Sequence, residues 1–291
     1  TRSQYKFQKE TEQRESDMQI SKASEAVGAI VENVDVTRLN DQEFADIRRA
    51  FLDHGTLFFR NQKLTPEDHI AFAKRWGAID LNRFFKRRDG YPEIAEVLKE
   101  PDQQINIGGG WHTDHSYDEA PAMGSILYAL EIPPSGGDTL FAGMAAAYEA
   151  LDDGMKDRIK DLKARHGNAH VFGEESPYRK AVGDRYTNAD QAGQTAVHPV
   201  VLAHPETGVK GLYVNPGFTL EIVDMEPAEG QALLQELYDH IMQDRFHHRH
   251  VWREGDLAIW DNRSTWHYAM NDYQGHRRYL NRITIEGVAL A

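Results

Sequence analysis

Apolar residues recur at helical spacing early in the chain. Between Asp41 and His54, Phe44, Ile47, Phe51 and Leu52 fall on one face of a helix. Thr65-Pro66-Glu67-Asp68 reads as a helix N-cap with proline in the first turn, leading into Ile70, Phe72, Ala73 and Trp76. Leu57-Phe58-Phe59, between these helices, is a short continuous apolar run suited to a buried strand. Further on, Ser125 to Leu130 reads as a strand, and 144–165 as helices carrying Ala145, Ala146, Tyr148, Leu151, Met155, Ile159 and Leu162. From His166 to Thr195 the pattern is polar and irregular, and a loop of that length in a compact domain is commonly a lid or binding loop. Short strands are then predicted at His198 to Leu202, Gly211 to Val214, Val251-Trp252, Leu257 to Trp260 and Arg282 to Ile285, with a helix across Pro227 to Met242. The pattern predicts a mainly β protein with flanking helices and a closed β-structure.

Length and composition narrow the class. The 291 residues show no internal repeat, linker or composition shift, so residues 18–291 are expected to form one domain. Residues 1–17 are polar and charged, which predicts a mobile tail rather than a secretory signal, with Met18 as a candidate start. No apolar run approaches the roughly 20 residues needed to cross a bilayer. A net charge of −13 opposes nucleic acid or an anionic membrane surface as partner. The absence of cysteine removes disulfides, thiolate zinc sites and a cysteine nucleophile. The cytoplasm is the default compartment, and a homo-oligomer stays open.

The candidate chemistry begins at Trp111-His112-Thr113-Asp114 and is answered by His267 and, eleven residues later, Arg278. On a strand, His112 and Asp114 would share one face about 7 Å apart. Two imidazoles and one carboxylate fill one face of an octahedron and leave three positions open, as in non-haem iron oxygenases. Arg278 supplies a planar, permanent charge able to hold a carboxylate through two hydrogen bonds. His-x-Asp alone is a weak signal in a chain with 14 histidines, where a solvated polar pair is the plain alternative. His267 would then be a core histidine and Arg278 part of a surface salt bridge. A zinc hydrolase could use the same three ligands, and a non-catalytic jelly-roll binding protein is a further alternative.

The surroundings of these residues carry more. The first block runs on through Ala120-Pro121 and Glu131-Ile132-Pro133 to Gly136-Gly137-Asp138-Thr139-Leu140. The second reads Ile259-Trp260-Asp261-Asn262-Arg263-Ser264-Thr265-Trp266-His267-Tyr268-Ala269, followed by Arg277-Arg278-Tyr279-Leu280-Asn281-Arg282. Together they resemble the taurine dioxygenase family of Fe(II)- and 2-oxoglutarate-dependent oxygenases, from about Val27-Gly28-Ala29-Ile30 to Glu286-Gly287. The resemblance implies a double-stranded β-helix, or jelly roll, with helices covering one side. It implies His112, Asp114 and His267 as Fe(II) ligands, and Arg278 with the Thr139 hydroxyl as the grip on the distal carboxylate of 2-oxoglutarate. It implies molecular oxygen as co-reactant, and hydroxylation of a small anionic organic substrate with release of succinate and carbon dioxide.

Arg282 lies four residues after Arg278, so an uninterrupted strand points both the same way. Its family counterpart holds the substrate's anionic group; a structural ion pair is the competing account. Asn82 replaces a histidine of the taurine enzymes and Gly108 a pocket asparagine, departures that argue against taurine. Phe84 and Phe85, with Phe172 and Phe218 at candidate wall positions, suit an apolar or aromatic body. Gly90-Tyr91-Pro92-Glu93-Ile94 looks closer to the aryloxyalkanoate dioxygenases. A taurine, alkylsulfonate or sulfate-ester dioxygenase is the alternative.

Three further features receive no catalytic role. Alternation sends His115 to the face opposite Asp114. Phe246-His247-His248-Arg249-His250 reads as alternating exposed strand positions. Gly108-Gly109-Gly110 lacks the Lys-Ser/Thr ending of a phosphate loop and reads as flexibility before the ligands.

Overall fold

The computed structural model describes residues 17–290, so the tail expected over 1–17 lies, Asp17 apart, outside the described residues. Two sheets organise the site. The larger runs, in spatial order, Gln19–Lys22, Ala29–Glu32, Thr56–Phe59, Leu257–Asp261, Gly124–Glu131, Arg278–Ile285, Tyr91–Lys99 and Arg87–Arg88, with Ile79–Asp80 also paired to Arg278–Ile285. The smaller runs His247–His250, Thr139–Gly143, Thr265–Ala269. Both are antiparallel except where Ala29–Glu32 meets Thr56–Phe59.

Strand alternation decides which side chains meet. Leu57, Phe59, Ile126, Tyr128, Leu257, Ile259, Ile283 and Ile285 pack outward against Ile47, Phe51, Phe72 and Trp76 of the helices Asp41–His54 and Pro66–Trp76. Their neighbours Phe58, Leu127, Ala129, Ala258, Trp260 and Leu280 pack inward with Phe141 of the smaller sheet, and the Phe58 and Phe141 rings lie 5.4 Å apart. Burying each such phenylalanine contributes roughly 1.5–3 kcal/mol. On the smaller sheet Ala142 and Trp266 face outward, onto Leu233, Leu234, Leu237 and Ile241 of the helix Pro227–Ile241. The result is a double-stranded β-helix. Helices cover both outer faces rather than the one expected, because the outer side of the smaller sheet is itself apolar.

Both early helices start where the sequence places them. Asn40 and Thr65 each accept from the backbone N–H three residues on, and Glu43 and Asp68 reach back to close a capping box. Asp41–His54 ends at Gly55, whose φ of 70° suits glycine.

Five expectations are corrected. The helical reading of 144–165 holds for Met144–Glu149 and Asp153–Ile159, but Lys163–Gly167 is the central strand between Thr195–Pro199 and Thr219–Ile222. These partners are distant in sequence, so local periodicity does not reveal them. The expected loop over 166–195 contains the short helices Ala169–Phe172 and Pro177–Val182. Val251-Trp252 follows the strand His247–His250 rather than forming one, and Gly211–Val214 shifts to Lys210–Leu212. The His247–His250 strand is not simply exposed either: His250 is buried and stacks on Phe58 at 4.3 Å.

Candidate active site

His267 lies on Thr265–Ala269, two residues from the ends of a strand that turns Trp266 outward and His267 inward. His112 is held against it by reciprocal backbone hydrogen bonds, His112 N to His267 O at 3.1 Å and His267 N to His112 O at 2.8 Å. Asp114 departs from the sequence expectation, since it sits in a turn rather than on a strand. His115 adopts φ 61° and its carbonyl accepts from Asp118 N at 2.9 Å. The turn still brings Asp114 to the two imidazoles: His112 Nε2 lies 3.6 Å from Asp114 Oδ1, and His267 Nε2 lies 3.7 Å from Oδ2. The three residues, Asp114 and His267 buried and His112 half-buried, form a cluster that could hold a metal ion, with one ligand atom each, all within 4.8 Å of one another.

The surroundings favour ligation. Gly110 O lies 2.7 Å from His112 Nδ1, so this nitrogen donates and the Nε2 lone pair is left free toward the cluster. Burial and the nearby His112 hold His267 well below its ordinary pKa, which keeps it neutral. Burial opposes ionisation of Asp114, but the adjacent Arg282 guanidinium outweighs it and holds the carboxyl below the usual range. Two neutral imidazoles and an ionised carboxylate are the forms a divalent metal takes.

Beside the cluster, Arg278 and Arg282 extend from Arg278–Ile285 into one cavity of about 280 Å³. Arg278 is buried, donates from Nε to Gly137 O at 2.9 Å, and leaves Nη2 without a partner among the described residues. A buried guanidinium with an orphaned donor is a receptor for an anion. Gly137, at φ 72°, permits this approach, since a Cβ there would lie 3.1 Å from Arg278 Cδ. Thr139 faces the same cavity, and its hydroxyl accepts from Trp252 Nε1 at 2.9 Å, which leaves its own proton to donate. Arg282 donates from Nη2 to Asp114 Oδ2 at 2.8 Å, while its buried Nε has no partner among the described residues.

The remaining wall is aromatic. Phe84 stacks on Phe172 with centroids 4.3 Å apart, Phe172 lies 6.1 Å from Phe218, and Phe85 stacks on Tyr186 at 5.1 Å. Asn82 also lines the cavity, but its Oδ1 accepts from Phe84 N at 3.0 Å and Phe85 N at 2.8 Å and so shapes the wall loop. Gly108 packs beside the His112 ring, where a Cβ would be 3.4 Å from Cε1. Tyr117, Tyr178, Tyr186 and Trp260 line the cavity without having been singled out in the sequence. His115, expected to face away, lines it too and pairs with Asp118 Oδ2 at 3.1 Å. The positive φ at His115 breaks the strand alternation on which that expectation rested.

A jelly roll with a His-Asp-His cluster beside a buried arginine that keeps a free donor among the described residues defines a class, the metal- and 2-oxo-acid-dependent oxygenases. Comparison with known proteins makes it specific. Residues 19–284 match the taurine catabolism dioxygenase TauD, TfdA family. An (S)-phenoxypropionate/α-ketoglutarate dioxygenase of Sphingobium herbicidovorans is 35 % identical over 246 residues, covering 83 % of this chain and 85 % of that protein. An alkylsulfatase of Acinetobacter baylyi is 32 % identical over 276 residues, 93 % of this chain and 85 % of its own. The crystal structure of a taurine dioxygenase from Burkholderia xenovorans superimposes with a TM-score of 0.79 at 34 % identity, covering 94 % of this chain and 92 % of that one. The chain belongs to the TauD/TfdA family and is a dioxygenase dependent on α-ketoglutarate, that is, 2-oxoglutarate. Among the described residues no helix is long and apolar enough to cross a membrane.

Proposed function

We propose that residues 18–291 form a single catalytic domain that uses Fe(II), 2-oxoglutarate and molecular oxygen to hydroxylate a small organic anion with an apolar or aromatic body, in the cytoplasm. The buried Arg278 guanidinium beside the triad, whose Nη2 meets no partner among the described residues, carries this reading. His112, Asp114 and His267 would hold Fe(II), with Gly110 O orienting one imidazole. Arg278 and Thr139 would hold the distal carboxylate of 2-oxoglutarate. When bound, these groups supply oxygen activation, coupling conversion of the cosubstrate to succinate and carbon dioxide with hydroxylation of the substrate.

The chain's own contribution is placement. Arg282, fixed by Asp114 and close to the Phe85 and Trp260 rings, keeps a buried Nε–H that is free among the described residues for the substrate's anionic group. The phenylalanine wall receives the apolar body and excludes water. Asn82 acts through the wall loop, since its carbonyl oxygen is already occupied. The names of the relatives, a phenoxypropionate dioxygenase and an alkylsulfatase, accord with a monoanionic substrate of this shape. A panel of aryloxyalkanoates, sulfate esters, alkylsulfonates and taurine, scored by succinate released per 2-oxoglutarate consumed, tests the reading. It expects coupled turnover with an apolar-bodied anion; a clear preference for taurine would overturn the assignment of the wall.

A further inference from the structure

Lys99, the last residue of Tyr91–Lys99, is among the largest fully buried side chains, at 2 % exposure. Among the described residues no carboxylate pairs with its ammonium. Nζ donates instead to Asn271 Oδ1 at 3.0 Å and Gln274 Oε1 at 2.9 Å, and lies 4.3 Å from the Tyr273 ring centre. A desolvated ammonium is costly unless its donors are met, and here these partners all come from one segment, 270–277.

That segment also reaches the arginine end of the cavity. Met270 N donates to Asp138 O at 2.9 Å, and Asp272 Oδ1 accepts from Gly137 N at 2.7 Å. The carbonyl of the same Gly137 accepts from Arg278 Nε. The contact is tight, since a Cβ on Gly136 would lie 2.7 Å from Asp272 Oδ1. Lys99 is therefore linked to the guanidinium by its hydrogen bond to Asn271, the backbone from Asn271 to Asp272, and the contacts of Asp272 with Gly137 and of Gly137 with Arg278, and Lys99 and Arg278 are themselves register partners on adjacent strands.

We propose that Lys99 is a positioning residue for the cosubstrate: it pins segment 270–277 so that Asp272 and Gly137 hold Arg278 aimed at the distal carboxylate of 2-oxoglutarate. The inference rests on the reading of Arg278 as the carboxylate clamp. Without the ammonium, two amide oxygens and a ring face lose their common partner and the segment loosens. Arg278 then keeps its charge but loses its fixed direction, while the triad and the aromatic wall, held by other contacts, stay in place.

The test uses full-length protein loaded with Mn(II), titrated calorimetrically with 2-oxoglutarate, together with amide hydrogen exchange over 270–277. Three variants are compared: Lys99→Met, the double Asn271→Ala/Gln274→Ala, and Arg278→Gln. Lys99→Met and the double variant should each bind 2-oxoglutarate roughly tenfold more weakly, the loss expected for about one well-placed hydrogen bond to a charged group. Both should exchange faster over 270–277 and keep wild-type Mn(II) affinity. If Lys99→Met fails to fold, the double variant, which alters only half-buried and exposed side chains, carries the test. Wild-type 2-oxoglutarate affinity in either folded variant, even with a lowered Tm, overturns the proposal. In that event weak binding by Arg278→Gln leaves the clamp reading standing, whereas normal binding by Arg278→Gln removes it as well.

Discussion

Gly217→Ala is the most discriminating single-methyl perturbation of the metal cluster. Gly217 lies outside the left-handed region, so its backbone accepts alanine and only the neighbours resist. The new Cβ would sit 2.6 Å from His112 Cβ, 3.3 Å from Asn215 Oδ1 and 3.4 Å from Trp111 O. Carbon atoms in contact stay about 3.5–4.0 Å apart, so something must move by roughly 1 Å. The Gly217 side is pinned, because Asn215 accepts from Phe218 N at 2.8 Å and donates to Ser116 Oγ at 3.0 Å. The motion therefore falls on His112, whose partner His267 and neighbour Gly108 bound it on other sides. Metal–ligand distances tolerate only about 0.2 Å, and disturbing the support of a ligand typically costs roughly 10–100-fold in affinity. Calorimetric titration with Mn(II) should show a loss of that order. Gly230→Ala, in the helix Pro227–Ile241, where a Cβ meets only Ile222 at an ordinary 3.5 Å or more, is the control and should bind as wild type. Wild-type Mn(II) affinity in Gly217→Ala would refute the placement of His112 in the cluster.

Other outcomes follow from the same geometry. Arg278→Gln should raise the 2-oxoglutarate requirement by the roughly 1.5–3 kcal/mol of a lost charged hydrogen bond, measured as Kd on the metal-loaded protein; an unchanged Kd would remove Arg278 from the cosubstrate site. Arg282→Ala should weaken the primary substrate far more than 2-oxoglutarate, and equal losses in paired titrations would end the division of labour between the two arginines. Acid should destabilise the fold through its buried histidines. Burial holds His69 and His166 at about 3, against an ordinary 6.5. The unfolded chain therefore takes up protons below about 6.5 that the folded chain refuses. Stability is full above that pH and falls toward 3, by up to roughly 1.4 kcal/mol per pH unit for each group. His69→Leu should flatten this acid limb by one group's share in urea unfolding; an unaltered slope would count against it.

The parts of the site legible in the sequence were those fixed by strand alternation or by the family motif. Thr139, Arg278 and Arg282 share a cavity because their strands face inward at those positions, and Leu57-Phe58-Phe59 reads as doubly buried because helices and the second sheet cover its two faces. Asp114 and His115 were harder, since a positive φ in a turn is invisible to a period-two argument. Lys163–Gly167 carries no β-branched residue and earns its strand from partners about 30 and 55 residues away. The helix Pro177–Val182 did leave a signal, Ser176 followed by proline, with Ser176 Oγ accepting from Arg179 N. Tyr117, Tyr178 and Trp260 could not be separated from core aromatics, because a cavity wall and a core ask for the same side chains.

Anaerobic addition of Fe(II) and then 2-oxoglutarate to the purified protein tests the central claim most directly. The account predicts a visible metal-to-ligand charge-transfer band that needs both additions, is absent in Asp114→Ala, and saturates only at higher 2-oxoglutarate in Arg278→Gln. No band in the wild-type protein, or an undiminished band in Asp114→Ala, would contradict it.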